Sequence, residues 1–365
     1  MSQQLAYVII TPYSLYKSRT GGILSRLITR TGLDLAGLRM FAPSPELVQE
    51  YAATIVSAQD PQDRKIQELL RDYVLQNLSP DPKTGRRRRV MAMLFRGDEA
   101  VRKVRSVVGN LSPDRRGGET IRDTYSDLIL DNDGTVRYFE PAVLAAPNND
   151  EAERKLKIWA RHSDADGGIL EHVIAYPPGE TGERTLVLIK PDNFKFATGR
   201  PGNVIDFFSR TGLFIVGAKV LRMSTAQAME FYGPVREFLR IKLKDGVSAK
   251  AKDILEKEFA FKISEADQHA LGEIPESQWR QPGTQKCIAL VYEGIGAVNK
   301  IRDVLGPTDP SKAPPGSIRR EFGSTIMVNA AHASDSVENA RREFAIVQPG
   351  ENNFKQVVED VYGQV

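Results

Sequence analysis

The feature that most constrains this chain is that it repeats itself. The tetrapeptide Arg30-Thr31-Gly32-Leu33 returns as Arg210-Thr211-Gly212-Leu213, a period of about 180 residues, the scale of a duplicated domain. Each copy opens with an apolar run, residues 7–10 and 186–189, followed by a residue-Pro pair, Thr11-Pro12 and Lys190-Pro191. A second strand in each ends in Leu38-Arg39-Met40 or Leu221-Arg222-Met223. Downstream, residues 90–95 parallel 288–292 as a strand, and 101–109 parallel 298–306 as a helix stopped by glycine. Thr120-Ile121-Arg122 parallels Ser317-Ile318-Arg319, and Val143-Leu144-Ala145-Ala146 parallels Val328-Asn329-Ala330-Ala331.

Each copy therefore reads strand, helix, strand, helices, strand, helix, strand, helix. That order predicts an α+β fold of two split βαβ (ferredoxin-like) domains. Residues 57–84 and 242–286, broken by Pro and Gly, read as helical insertions, with one helix over 250–259. The expected division is a first domain at 1–163, a Gly- and Pro-rich linker at 164–182 and a second domain at 183–365.

Composition is that of an ordinary globular chain: 365 residues, 41% hydrophobic and 27% charged, enough for two cores. The net charge of +3 defines no partner. Arg86-Arg87-Arg88-Arg89 heads a locally basic stretch. It lacks interleaved aromatics and any known nucleic-acid signature, so a solvated loop is favoured over contact with a polyanion. The single cysteine, Cys287, lies in an apolar run and reads as core; it forms no intrachain disulfide. The start of the chain has no signal-peptide pattern, and no apolar run nears the ~20 residues a bilayer requires. A cytoplasmic protein without membrane contact is expected.

Of four histidines, His332 stands apart. It lies in Asn329-Ala330-Ala331-His332-Ala333-Ser334-Asp335-Ser336, where a strand should end just before it and a helix begin at Asp335 or Ser336, both good N-caps. A neutral imidazole is a competent nucleophile near pH 7. Phosphoryl transfer asks mainly for positioning and for positive charge around the phosphoryl oxygens, which Lys190, Arg302 and Arg319 offer.

These residues resemble the nucleoside diphosphate kinase family over nearly all of the second copy. The histidine segment matches the family's Asn-x-x-His-[Gly/Ala]-Ser-Asp-Ser. Lys190-Pro191-Asp192, Tyr232, Tyr292-Glu293-Gly294, residues 302–310 and Pro315-Gly316-Ser317-Ile318-Arg319 match in order, with Glu343 eleven residues after the histidine. The resemblance implies that His332 takes the γ-phosphate from ATP and passes it to another nucleoside diphosphate. It implies that Lys190, Arg302, Thr308 and Arg319 hold phosphates, and that Asn329 and Lys190 meet the ribose hydroxyls. Ser334 and Glu343 would orient the histidine, supported by Tyr232. Phe238 is the nearest candidate to stack on the base, with low base selectivity. Mg²⁺ would bridge phosphate oxygens of the nucleotide. Met327-Val328 stands where the family has Gly-Arg, a departure at the base end of the pocket.

Aligned on these matches, the first copy has lost the chemistry: Pro147 falls at His332, Leu144 at Asn329, Thr11 at Lys190, Leu111 at Thr308 and Ile158 at Glu343. Tyr51, Arg105 and Arg122 remain, matching Tyr232, Arg302 and Arg319. A silent first copy is expected, able to act as the internal half of a pseudo-dimer, with higher homo-oligomers also open. The competing reading is a non-catalytic nucleotide-binding or scaffold protein of the same fold.

Overall fold

The computed structural model describes residues 3–113, 117–243, 277 and 279–365, with backbone alone over 235–243. The helix read at 250–259 and nearly all of the second insertion lie outside the described residues. The first half runs β1 (Gln4–Ile10), α1 (Pro12–Tyr16), α2 (Thr20–Thr31), β2 (Asp34–Phe41), α3 (Pro45–Ala52), α4 (Arg64–Asn77), β3 (Val90–Gly97), α5 (Ala100–Val108), α6 (Ile121–Tyr125), β4 (Asp127–Leu130), β5 (Val136–Glu140), β6 (Val143–Ala145) and α7 (Asn149–Asp166). The second runs β7 (Glu183–Ile189), a 3₁₀ turn (Pro191–Phe194), α8 (Arg200–Ser209), β8 (Phe214–Leu221), α9 (Thr225–Leu243), β9 (Cys287–Gly294), α10 (Ala297–Leu305), α11 (Ile318–Phe322), β10 (Ala331–Ala333), α12 (Val337–Val347) and α13 (Asn353–Tyr362).

The apolar runs become the central strands. β1 and β3 are buried along nearly their whole length, as are β7 and β9, because packing covers both faces of each sheet. The sheet orders are β2-β3-β1-β6 and β10-β7-β9-β8, antiparallel throughout, which is the ferredoxin-like arrangement expected. The β4–β5 hairpin was not anticipated, and it has no strand counterpart in the second half among the described residues. Helix α7 carries on through Asp166, past the boundary drawn at 163.

Pairing corrects the internal alignment in three places. Ile10 opposes Val143 in the first half and Ile189 opposes Ala331 in the second, so Leu144, not Pro147, occupies the position of His332. The helix caps agree: Asn148 caps α7 and Ser336 caps α12, each four residues beyond that position. So does the backbone, since Ala142 and Ala330, two residues before it, both have positive φ, 61° and 69°. Pro141 therefore stands at Asn329 and Lys155, rather than Ile158, at Glu343. Likewise, bulges at Leu35/Gly37 and Ile215/Gly217 pair Arg39 with Lys219, and the caps Ser44 and Ser224 pair Tyr51 with Phe231, not Tyr232. Short matches such as Val-x-Ala-Ala misled because they track composition, whereas register is set by hydrogen bonds.

The halves share one continuous apolar core. Helices α2 and α8 cross so closely that a Cβ on Gly21 would lie 2.1 Å from the Gly202 carbonyl oxygen, a contact only glycine permits. Ser25 donates to the Gly199 carbonyl across this crossing at 2.8 Å. The Asp206 carboxylate accepts from the Gly21 and Gly22 amides, and burial lifts its pKa to about 6 against their pull. Strands β2 and β8 face each other beside it. One arginine of the basic run crosses this seam, and another braces the end of α7 within the first half. Arg89 donates to the Ile215 carbonyl at 2.6 Å and lies over the Phe214 ring, while Arg87 pairs with buried Asp166 at 3.0 Å. The chain ends also cross over: α13 brings Phe354 against Phe41, and Tyr362 donates to the Leu5 carbonyl.

Candidate active site

His332 sits in the middle of β10, opposite Leu188, rather than after the strand as the sequence suggested. The short strand is an edge, and the side chain is about a quarter exposed, at 24%. The backbone just before it is strained. Ala330 adopts a left-handed conformation that costs a non-glycine residue about 1 kcal/mol or more. Its carbonyl is held by the Lys190 amide at 2.9 Å and the Asn193 side chain at 2.7 Å. Those two donors fix the bend that separates inward-facing Asn329, 3% exposed, from the strand.

Beyond the strand, Ser336 caps α12 by accepting from the Asn339 amide, so helix and histidine are rigidly joined. Glu343, two turns into α12, is 4% exposed. Its carboxylate lies 3.0 and 3.1 Å from Nε2 of His332, and it accepts from the Ser334 hydroxyl at 2.6 Å. A carboxylate can only accept, so Nε2 carries the proton and Nδ1 the lone pair. The buried ring of Phe231 meets the imidazole edge-on at 4.9 Å and Tyr232 at 6.4 Å.

The cations belong to a second hydrogen-bonded group. Lys190 donates to Asn329 Oδ1 at 2.9 Å and to the Met327 carbonyl. Asn329 donates to the carbonyls of Thr308 at 3.2 Å and Ile326 at 2.7 Å. Arg319 donates to the carbonyls of Gly306 at 3.0 Å and of Ala331, next to the histidine, at 3.3 Å. Its Nε is buried with no partner. Arg302 stands exposed in the last turn of α10, close enough for its charge to act on Arg319. Burial, then the charge of Arg302, brings the Arg319 pKa down to about 10. Burial also lowers Lys190, with Asp192 opposing the shift and Arg319 adding to it. Both shifts report cations held partly out of water without full compensation, a state an anion would relieve.

Lys190, Asn329, Thr308, Arg319, Ser334, Glu343, Tyr232 and His332 are thus joined by hydrogen bonds or ring contacts, and Arg302 by its field. The side chain of Phe238 lies outside the described residues. Reading the sequence missed Phe231 and Asn193. Phe231 passes for helix packing, and Asn193 follows the Lys-Pro-Asp triplet without any signal of its own.

The first half shows the same scaffold with different residues at most of these positions. Arg122 repeats the contacts of Arg319, donating to Gly109 and Val143 carbonyls at 3.1 and 3.3 Å, but it is 2% exposed. Leu144 replaces the imidazole, and Lys155 at the Glu343 position is paired with buried Glu151 at 3.0 Å. Thr11, at the place of Lys190, donates to buried Glu140, which also accepts from Tyr73 at 2.6 Å. Burial raises the Glu140 carboxyl. An acid has entered where the second half keeps a cation.

The family model described as nucleoside diphosphate kinase matches residues 4–165, 183–239 and 280–352, well over half of the chain. The chain is 37% identical over 168 residues to the nucleoside diphosphate kinase of Wolinella succinogenes, a match covering 46% of this chain and 96% of that protein. It is 36% identical over 163 residues to that of Helicobacter pylori strain Shi470, covering 45% and 93%. A solved structure of the Aquifex aeolicus nucleoside diphosphate kinase is 29% identical, with a TM-score of 0.31, and covers 46% of this chain and 94% of its own.

Proposed function

The chain belongs to the nucleoside diphosphate kinase family, and on that premise we propose that its second half moves the terminal phosphate of a nucleoside triphosphate to a nucleoside diphosphate through a phosphohistidine on His332. The observation that carries this reading is the close approach of His332 Nε2 to both oxygens of the Glu343 carboxylate, which accepts from the Nε2 proton and leaves the Nδ1 lone pair to attack.

In the first step the Nδ1 lone pair forms a bond to the γ-phosphorus as the bond to the β-phosphate oxygen breaks. The electron pair leaves with the diphosphate. The ring becomes cationic and keeps its Nε2 proton, which the carboxylate stabilises, so no proton need depart. In the second step an oxygen of the acceptor diphosphate attacks the phosphorus, and the N–P electron pair returns to Nδ1. Arg302 and Arg319 oppose charge on the transferring group, Thr308 joins them on the phosphates, and Lys190 with Asn329 meets the ribose end. Phe231 and Tyr232 hold the ring plane. Phe238 stays the candidate for the base.

Among the described residues no group of three or more His, Cys, Asp or Glu could hold a metal, and the cup itself is cationic. Mg²⁺ would come with the nucleotide and would neutralise part of its phosphate charge. We assign residues 1–163 a silent role, since Leu144 offers no lone pair, and read them as a built-in partner for residues 183–365 across the α2–α8 crossing.

Incubation with γ-labelled ATP and Mg²⁺ without acceptor should leave acid-labile, base-stable label on His332. No label, together with no GTP formed from ATP and GDP, would instead favour a binding or scaffold protein.

A further inference from the structure

Arg342, beside Glu343 on α12, has a role that phosphate binding does not explain. Its Nη1 donates to the Glu230 carbonyl and its Nη2 to the Phe231 carbonyl, both at 3.2 Å. Nη2 also lies 3.8 Å from Glu343 Oε1, while Nε is buried without a partner. Both carbonyls belong to α9, which contains Pro234. In a helix the carbonyl of residue 230 would accept from the amide of residue 234, and proline has none. Arg342 supplies the missing donor. The same turn carries the two rings that meet His332. Gln227 makes a second tie, donating to the Ile346 carbonyl of α12 at 3.1 Å.

We propose that Arg342 is a positioning residue: by capping the carbonyl that Pro234 orphans, it locks α9 to α12 and so seats Phe231 and Tyr232 on His332, while its charge steadies Glu343. The first half has no such device. Its equivalent arginine, Arg154, pairs with Glu151 at 2.9 Å and donates to Thr54, beyond the end of α3. This inference rests on the phosphohistidine reading of His332.

The test is a double-mutant cycle on the full chain, with Arg342→Gln and Pro234→Ala. Single-turnover labelling of His332 from γ-labelled ATP gives the rate, and ¹⁵N shifts of the His332 ring report its tautomer. Arg342→Gln should slow labelling about tenfold with the ATP concentration for half-saturation unchanged, a cost typical of a small misplacement near a reacting group. It should also mix the ring tautomers. Arg342→Lys should restore part of the rate. Pro234→Ala returns an amide to Glu230, so the glutamine should cost at least roughly threefold less in that background. Absent label on the wild-type chain refutes the phosphohistidine reading and the positioning role with it. Label present, with the two substitutions acting independently and the ring tautomer unmoved, overturns the positioning role alone.

Discussion

Replacing Glu343 by glutamine is the most direct challenge to the way this site is assembled. The side chain is buried at 4% exposure, and glutamine is nearly isosteric, so packing survives. The amide can keep its oxygen 3.0 Å from Nε2, and the Ser334 hydroxyl, now 2.6 Å from the other oxygen, can turn to accept instead of donate. What disappears is the charge. A hydrogen bond to a charged group is worth about 1.5–3 kcal/mol against about 0.5–1.5 for a neutral one. Two unit charges about 4 Å apart at an effective dielectric near 20 add an attraction of about 4 kcal/mol that overlaps with this difference. In the proposed mechanism N–P bond formation adds positive charge to the ring that the carboxylate faces, so the loss falls on the phosphorylated state and the approach to it. A cost of about 2–4 kcal/mol corresponds to labelling slowed roughly 30- to 1000-fold. Rapid-quench single-turnover labelling measures this, with circular dichroism as a check on the fold. A folded Glu343→Gln chain labelled within about threefold of wild type would refute the claim that this carboxylate stabilises the phosphorylated ring.

Four other outcomes follow from the geometry. His332→Gln should remove all label while moving the thermal midpoint by no more than about 3 °C, read by calorimetry, because the side chain is partly exposed and glutamine can still donate to Glu343. Lys190→Met should raise KM for ATP about tenfold in steady-state assays, since it would remove both the proposed nucleotide contact and the donor that orients Asn329. Adding Leu144→His to the His332→Gln chain should give no label in the first half, where Lys155 replaces the orienting carboxylate and Arg122 is sealed; one phosphate per chain from that variant would contradict it. Asp206 has its folded pKa raised to about 6 from 3.8, so its stabilising contribution is complete below the unfolded value and is lost as pH rises through about 6. The unfolding free energy of Asp206→Asn relative to wild type should therefore drift in favour of the variant between pH 4 and pH 6.5, and a flat difference in urea titrations would count against the buried interface acid.

The duplication, the ferredoxin-like order of each copy and the histidine motif were legible in the sequence. They rest on local patterns: apolar runs that must be buried, glycines that must end helices, and a spaced set of polar residues that packing alone does not require. The register was not legible. Val143-Leu144-Ala145-Ala146 looks like Val328-Asn329-Ala330-Ala331, yet ladder bonds to β1 and β7 put Leu144 where His332 stands. A strand's register is decided by its partner across the sheet, which no local window contains. The same holds for Phe231, for the arginine that answers a proline over a hundred residues away, and for Arg89, which looks like part of a solvated run but joins the two halves. Composition names which groups are present, but only the folded chain decides which distant carbonyl or ring each of them meets.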